Sequence, residues 1–260
     1  MNNFYKKVIR FFSSFLFDPI SLLYKWRAIP IFILNTIKYN KNYKNADLTN
    51  FYFDISNMYF TTQDKYLPSG IAQGHYFHQD LWAAKKIFES NISFHIDIGS
   101  RIDGFIAHIL PFCKVEYVDI RNLTSKVENL YFKQASILSL PYKDKSIDSL
   151  SCLHVIEHIG LGRYGDDIDS MGHIKAAKEL TRVLATGGKL YLGTPIGKEK
   201  LCFDAHRIFN PNTVIEMFAP LKLIEFNLID DNGSKIHFNA SFEDALKCKY
   251  GCGLFIFTKV

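Results

Sequence analysis

"FHIDIGSRIDGF", residues 94–105, reads as a strand that runs into a turn and then a helix, and its reading decides the fold. "ISFHIDI", closing at Ile98, is a short apolar and β-branched run of the kind that forms a buried strand. Asp97 and Gly99 then place a carboxylate and a bare backbone at the strand's carboxyl end, where open α/β sheets bind nucleotide-like ligands. Asp97 as a plain helix cap is the alternative.

Outward from this stretch, strand-like runs alternate with helical ones from about residue 80, the pattern of a parallel sheet covered by helices on both faces. "KVEYVDI" (114–120), "LYFKQAS" (130–136), "SIDSLSCLH" (146–154) and "KLYLGTP" (189–195) are the second to fifth strands, and "IAHIL" begins the helix after the first. Ile174, Ala177, Leu180 and Leu184 share one face of a helix over 171–185 that "TGG" ends. "LKLIEFNLI" and "GLFIFTKV" lack a crossover pattern between them, which predicts an antiparallel pair at the end of the sheet. Residues 1–79 read as a helical and irregular cap or anchor, with 66–80 a loop entering a helix at "LWAAKKIFE"; the domain proper is 80–260.

Residues 1–45 carry eight Lys and Arg against Asp18 alone, a net +7 in a chain whose formal charge is only +5, so the remainder is slightly acidic. That asymmetry argues against a nucleic-acid enzyme and for an acidic partner or peripheral contact with an anionic membrane; a solvated basic helix is the plainer reading. "FFSSFLF" (11–17) is cut off by Asp18-Pro19 with no small-x-small site after it, so secretion is not expected. No apolar run reaches the roughly 18–20 residues of a membrane span. The five cysteines are odd in number and form no Cys-x-x-Cys pair, which reads as cytosolic thiols and a cytoplasmic protein, peripheral to the inner membrane at most. Cys248 and Cys252 lack a second pair and read as structural, and no metal centre is assigned, since His75, His78 and Asp80 do not secure a ligand set by spacing.

"HIDIGS", "YVDIRN", "SILSLPYKDKSIDSL", "VIEHI" and "ATGGKLYLGTP" follow one another in the order and approximate spacing of class I S-adenosylmethionine-dependent methyltransferases, which residues 95–260 resemble. The resemblance implies a Rossmann-like, seven-stranded, mostly parallel sheet with an antiparallel last strand, and S-adenosylmethionine as cofactor. On it, Asp97, Gly99, Ser100 and Arg101 form the cofactor loop, Asp119 and Ile120 meet the ribose, and Ser136 stands where many relatives carry an adenine-binding Asp. Arg101 and Asp103 replace two glycines of the usual loop, so Arg101 either reaches an anionic group or pairs with Asp103. A dehydrogenase frame lacks its middle glycine at Arg101, which would obstruct a pyrophosphate.

"GHYFHQDLWAA", "DIGSRIDGFIAH", "EHIGLGRYGD" and "AHRIFNP" resemble a branch of that superfamily met among bacterial surface-polysaccharide genes, which implies O-methylation of a sugar or sugar-linked hydroxyl. Such a transfer benefits from a base, and His154, His158 and His206 are the candidates, His154 first. Tyr76, His78 and Gln79 are expected to close over the methionine end of the cofactor, and Arg163, Tyr164, Asp166, Arg207 and Tyr76 to hold the acceptor. A methyltransferase-like scaffold without catalysis is the competing reading. No pattern in the sequence encodes an oligomeric state.

Overall fold

The computed structural model describes residues 19–44, 51, 53–61 and 68–260. The chain divides into two compact units, 1–71 and 72–260. The boundary expected after residue 79 would have cut a helix, α2 (His75–Glu89), which belongs wholly to the second unit. In the first unit, α1 (Pro19–Lys44) carries Pro30 within it, and a 3₁₀ turn follows at Ile55–Asn57. Lys6, Lys7, Arg10 and the aromatic run 11–17 lie outside the described residues.

The second unit is built on an eight-stranded sheet. Its strands are β1 (Phe94–Ile98), β2 (Lys114–Asp119), β3 (Leu130–Gln134), β4 (Ile147–Leu153), β5 (Leu184–Ile196), β8 (Lys222–Ile229), β9 (Ile236–His237) and β10 (Gly251–Thr258). The order is β3-β2-β1-β4-β5-β10-β8-β9. The first five pair in parallel, whereas β10 runs antiparallel between β5 and β8. The two-residue β9 on the outer edge is one strand beyond the seven expected, too short to show as a periodic run. A separate two-stranded sheet pairs β6 (Lys200–Cys202) with β7 (His206–Ile208).

Alternation along the strands sorts the core into two layers. Ile96, Ile98, Leu150, Cys152, Leu190, Leu192, Phe255 and Phe257 pack on one face with α4 (Gly172–Val183), α5 (Pro211–Met217) and α6 (Phe242–Lys247). Tyr191, Leu254 and Ile256 face the other way, toward α2 and the helical segment after β1. That segment is a π-helix at Ile102–Ile106 that continues as α3 (Ala107–Ile109), a wider first turn than the ordinary helix expected from 106.

α2 begins six residues earlier than Leu81. Gly74 (φ 93°) marks its start, and His75 to Asp80, expected in a loop, form its first turns. Buried Trp82, Ala83, Ala84 and Ile87 recur at helical spacing and seat it on the sheet.

Candidate active site

Asp97 and Asp119 emerge at the carboxyl ends of adjacent parallel strands, with Asp97 paired in register with Tyr117. Between and above them opens a cleft of about 540 Å³, within the range of small-molecule sites. Gly99, Ser100 and Arg101 wall it from the β1 turn, Asp119, Ile120 and Arg121 from β2, Ser136 and Ile137 from β3, and His154, Val155 and His158 from β4. Tyr76, Tyr164 and Asp166 close its mouth.

Asp97 itself is fully buried beneath the turn and does not wall the cleft, contrary to the cofactor contact expected of it. Its carboxylate accepts from the Ser100 amide at 2.9 Å, from Ser100 Oγ at 2.6 Å and from Ser151 Oγ, so it pins the loop. Burial pushes its pKa up to about 6 against those donors. Behind it, His95 sits between Ser149 Oγ (2.7 Å) and Ser151 Oγ (2.8 Å). Ser151 gives its proton to Asp97 and so accepts from His95 Nε2–H, which leaves Nδ1 to accept from Ser149. Complete burial depresses the His95 pKa to about 3. Gly99 adopts φ 69° at the turn, a left-handed conformation that a side chain resists.

Asp119 stands at the cleft wall as expected, but it is not vacant. Arg121 donates from its amide (2.8 Å) and Nε (3.0 Å) to Oδ1 and from Nη2 (2.7 Å) to Oδ2, which also accepts from Tyr117 Oη at 2.8 Å. Burial raises the Asp119 pKa and these bonds more than reverse it, so the group is held ionised. The Arg121 guanidinium in turn lies 4.7 Å from the Tyr164 ring centroid. Arg101 takes the second of its two expected roles, pairing with Asp103 at 3.1 Å while its guanidinium lies 4.9 Å from the Tyr76 ring. Ser136 lines the cleft, and its Oγ accepts from the Leu138 amide at 3.2 Å.

A fully buried charge pairing lies after β4. The chain turns at His154 (φ 54°) into a 3₁₀ turn, Ile156–His158, which buries Glu157 completely. His154 Nδ1 lies 2.7 Å and His158 Nε2 3.6 Å from the same Glu157 Oε1. Burial opposes charge on His154, but Cys252 and Glu157 beside it outweigh that and raise its pKa well above the usual histidine value. His158 goes the other way: burial, helped by the Arg163 charge, lowers its pKa despite Glu157. Its Nδ1–H donates to Ala205 O at 2.6 Å, which leaves Nε2 as the basic nitrogen.

Five expected contacts are placed elsewhere. His206 lies on β7, where it packs 5.0 Å from the Tyr250 ring and 6.5 Å from His158 without reaching the cleft wall. Arg207 is buried and donates to the carbonyls of Ile159 (2.7 Å), Glu157 (3.4 Å) and Ser170 (3.5 Å), holding the loop rather than a substrate. Arg163 donates to Ala205 O at 2.9 Å and orients the β6–β7 connection. Gln79 is buried against β5 and β10, where a Cβ on Gly193 would meet its Oε1 at 2.0 Å. His78 is also off the cleft. Asp166 does line it, with its oxygens bonded to the amides of Gly160 (2.7 Å) and Tyr164 (3.3 Å). His75 keeps company with His154 and Cys252 rather than with His78 and Asp80: one ligand atom from each of the three lies within 4.8 Å of the others.

Residues 114–247, slightly over half of the chain, match the family described as "Caenorhabditis protein of unknown function, DUF268". The chain belongs to this family. An uncharacterised protein of Methanocaldococcus jannaschii, MJ0638, is 30% identical over 107 residues, which are 41% of this chain and 39% of that protein, so the match spans about two fifths of its relative. Among solved structures, the N-methyltransferase NodS from Bradyrhizobium japonicum WM9 in complex with S-adenosyl-L-homocysteine aligns with TM-score 0.51 at 16% identity, over 70% of this chain and 85% of that one. The Burkholderia thailandensis 1,6-didemethyltoxoflavin-N1-methyltransferase with bound 1,6-didemethyltoxoflavin and S-adenosylhomocysteine aligns with TM-score 0.50 at 10% identity, over 70% and 79%. This DUF268 member therefore has the Rossmann-like fold of class I methyltransferases.

Proposed function

We propose that the chain is an S-adenosylmethionine-dependent O-methyltransferase. The observation that carries this reading is the cleft itself, bounded by the Asp97-pinned turn and Asp119 on neighbouring strands and by two histidines after β4. The residues present fit the cofactor: Asp119 offers an ionised acceptor for ribose hydroxyls once Arg121 swings aside, and Ile120 and Ile137 offer apolar walls for a purine. Arg121 is half-exposed and can turn to solvent, while the nearly buried Asp119 exchanges its charged partner for ribose hydroxyls. When bound, S-adenosylmethionine supplies a methyl group on a sulfonium sulfur.

His158 is the base in this reading, displacing His154 from first place. It is neutral, its tautomer is set by Ala205, and it walls the cleft. As the acceptor oxygen forms its bond to carbon and the sulfonium bond breaks, Nε2 takes the hydroxyl proton. His154, with its charge held by Glu157, is suited to orienting the turn and to favouring an electron-rich acceptor. The acceptor class we assign is a hydroxyl of a sugar or sugar-linked group, of the kind assembled into bacterial surface polysaccharide. Its support is the resemblance carried by "EHIGLGRYGD" together with the Tyr164 ring and polar rim at the mouth.

Calorimetric titration with S-adenosylhomocysteine and a radiolabelled methyl-transfer screen over nucleotide-linked sugars, phosphorylated sugars and polysaccharide test the two halves of this assignment. Micromolar binding and a labelled sugar are expected; no binding at millimolar ligand would reject the cofactor. One observation favours a non-catalytic scaffold instead, namely Arg121 filling both oxygens of Asp119. Cofactor binding without transfer to any acceptor supports that reading.

We also assign peripheral membrane contact to the first unit. Leu23, Trp26, Ile33, Leu34 and Ile37 are exposed at helical spacing on α1, a helix that also bears Lys25, Lys38 and Lys41. Among the described residues no helix is long and apolar enough to cross a membrane. Sedimentation with anionic vesicles, set against neutral ones, tests the contact.

A further inference from the structure

His154 contains a nitrogen that nothing yet described uses. Its Nδ1–H is committed to Glu157 Oε1, and its other ring nitrogen, Nε2, is buried with no hydrogen-bond partner in a side chain only 3% exposed. A buried polar atom left unpaired costs free energy, and native structures rarely leave one without a reason. Cys252 is fully buried beside it, facing His154, and its thiol otherwise reaches Gln79 Oε1 and Gly253 O at 3.9 Å each, the far limit for such a bond. His75 stacks on His154, ring centroids 5.4 Å apart, and completes a group whose three ligand atoms lie within 4.8 Å of one another.

We propose that His75, His154 and Cys252 bind a divalent transition metal of the zinc type at the edge of the cleft, with a further coordination position left open. Two imidazoles and a thiolate select such an ion over magnesium or calcium, which demand oxygen ligands. Metal–nitrogen bonds of about 2.0–2.1 Å and a metal–sulfur bond of about 2.3 Å hold ligand atoms roughly 3.5 Å apart, so the widest pair must close by about 1 Å. Half-buried His75 at the start of α2 can supply that movement. Glu157 completes the arrangement from behind: a carboxylate on the far nitrogen of a ligating histidine fixes its tautomer and strengthens it as a donor. With the Cys252 thiolate it also supplies two negative charges against the ion's two positive ones. Three protein ligands are the number found where zinc keeps an exchangeable water or substrate. His154 and Tyr76, whose ring centroids lie 4.9 Å apart, both wall the cleft, so the open position is accessible from it. An ion there would acidify a bound acceptor hydroxyl; that role rests on the methyl-transfer reading, whereas binding of the ion does not.

The ligand set is tested by titrating the metal-free full chain with Co²⁺. One equivalent bound with a thiolate-to-cobalt charge-transfer absorption in the near ultraviolet is expected, lost in Cys252→Ser and formed with about 10–100-fold weaker affinity in Glu157→Gln. X-ray absorption of the zinc-loaded wild type, which needs no variant to fold, should show one sulfur and two imidazole nitrogens. Absence of binding at micromolar free Co²⁺ and Zn²⁺, an absorption band that persists in Cys252→Ser, or a first shell without sulfur each overturns the proposal. Titration of the same samples with S-adenosylhomocysteine separates the two readings. Metal binding without nucleoside binding leaves this site standing and removes the methyltransferase, and the reverse result does the opposite.

Discussion

Arg121 folds back on Asp119, placing Nε 3.0 Å and Nη2 2.7 Å from the two oxygens of one carboxylate. The acid at the end of β2 is thus paired in the structure and is available to a ribose only by exchange. Asp119→Asn keeps the shape and removes the charge, and it should weaken S-adenosylhomocysteine binding by about 10–100-fold, the worth of a charged hydrogen bond. Arg121→Ala removes the competitor and should leave affinity unchanged or tighter. Calorimetry distinguishes them; equal affinity in wild type and Asp119→Asn would take the ribose away from this residue.

For His158→Ala, we expect kcat to fall by about 10²–10⁴ while S-adenosylhomocysteine affinity stays within experimental error. His206→Ala should change kcat little, because that ring does not wall the cleft. Steady-state kinetics on any acceptor found in the screen decide the matter, and a larger loss at His206 than at His158 would reverse the assignment.

Arg207 gives a prediction about stability rather than catalysis. Arg207→Met strands the carbonyls of Glu157, Ile159 and Ser170 and should cost on the order of 3 kcal/mol in chemical denaturation. At temperatures where the variant is folded, KM for the acceptor should stay close to wild type; a raised KM at unchanged stability would restore a substrate contact.

The buried polar seam under the turn after β1 predicts a pH dependence. Below its ordinary value of 6.5, His95 takes a proton in the unfolded chain but not in the fold until about pH 3. Stability from this group is therefore lost as pH falls through that window, by up to roughly 1.4 kcal/mol per pH unit. Asp97 has the opposite sign: between 3.8 and about 6 the fold holds a proton that the unfolded chain has released, so stability is lost as pH rises. The two slopes oppose each other between about pH 4 and pH 6. His95→Leu should unmask the Asp97 slope, giving a variant that becomes less stable from pH 4 to pH 6 relative to wild type. Urea denaturation across that range measures it, and parallel curves for the two proteins would refute it.

Much of this architecture was readable because it is local. The five parallel strands, the helix over 171–185 and the terminal antiparallel pair each announce themselves in periodicity, and Asp97, Asp119, His154 and His158 fall at strand ends that periodicity locates. What was hidden depends on register and topology. Asp97 sits at the right strand end, but alternation turns its side chain into the layer beneath the turn, a distinction that strand-end position does not carry. Arg207 resembles a ligand-binding arginine in "AHRIFNP" until the fold shows which carbonyls surround it. Arg121, two residues after Asp119 in "YVDIRN", could have been flagged as its neighbour. Cys252 could not, because it meets His154 only through the insertion of β10 beside β5. The start of α2 was missed for a different reason: its first turns are polar and aromatic, and their apolar period begins only at Trp82.

The position of β10 also bears on synthesis. Because Gly251–Thr258 lies between β5 and β8, the ribosome releases the cleft-walling strands β1–β4 while the flank of β5 still lacks its neighbour. Until β10 arrives, the nascent sheet offers a long apolar border to any other chain. Molecules interrupted before residue 251 should accordingly be captured by chaperones or proteases rather than accumulate.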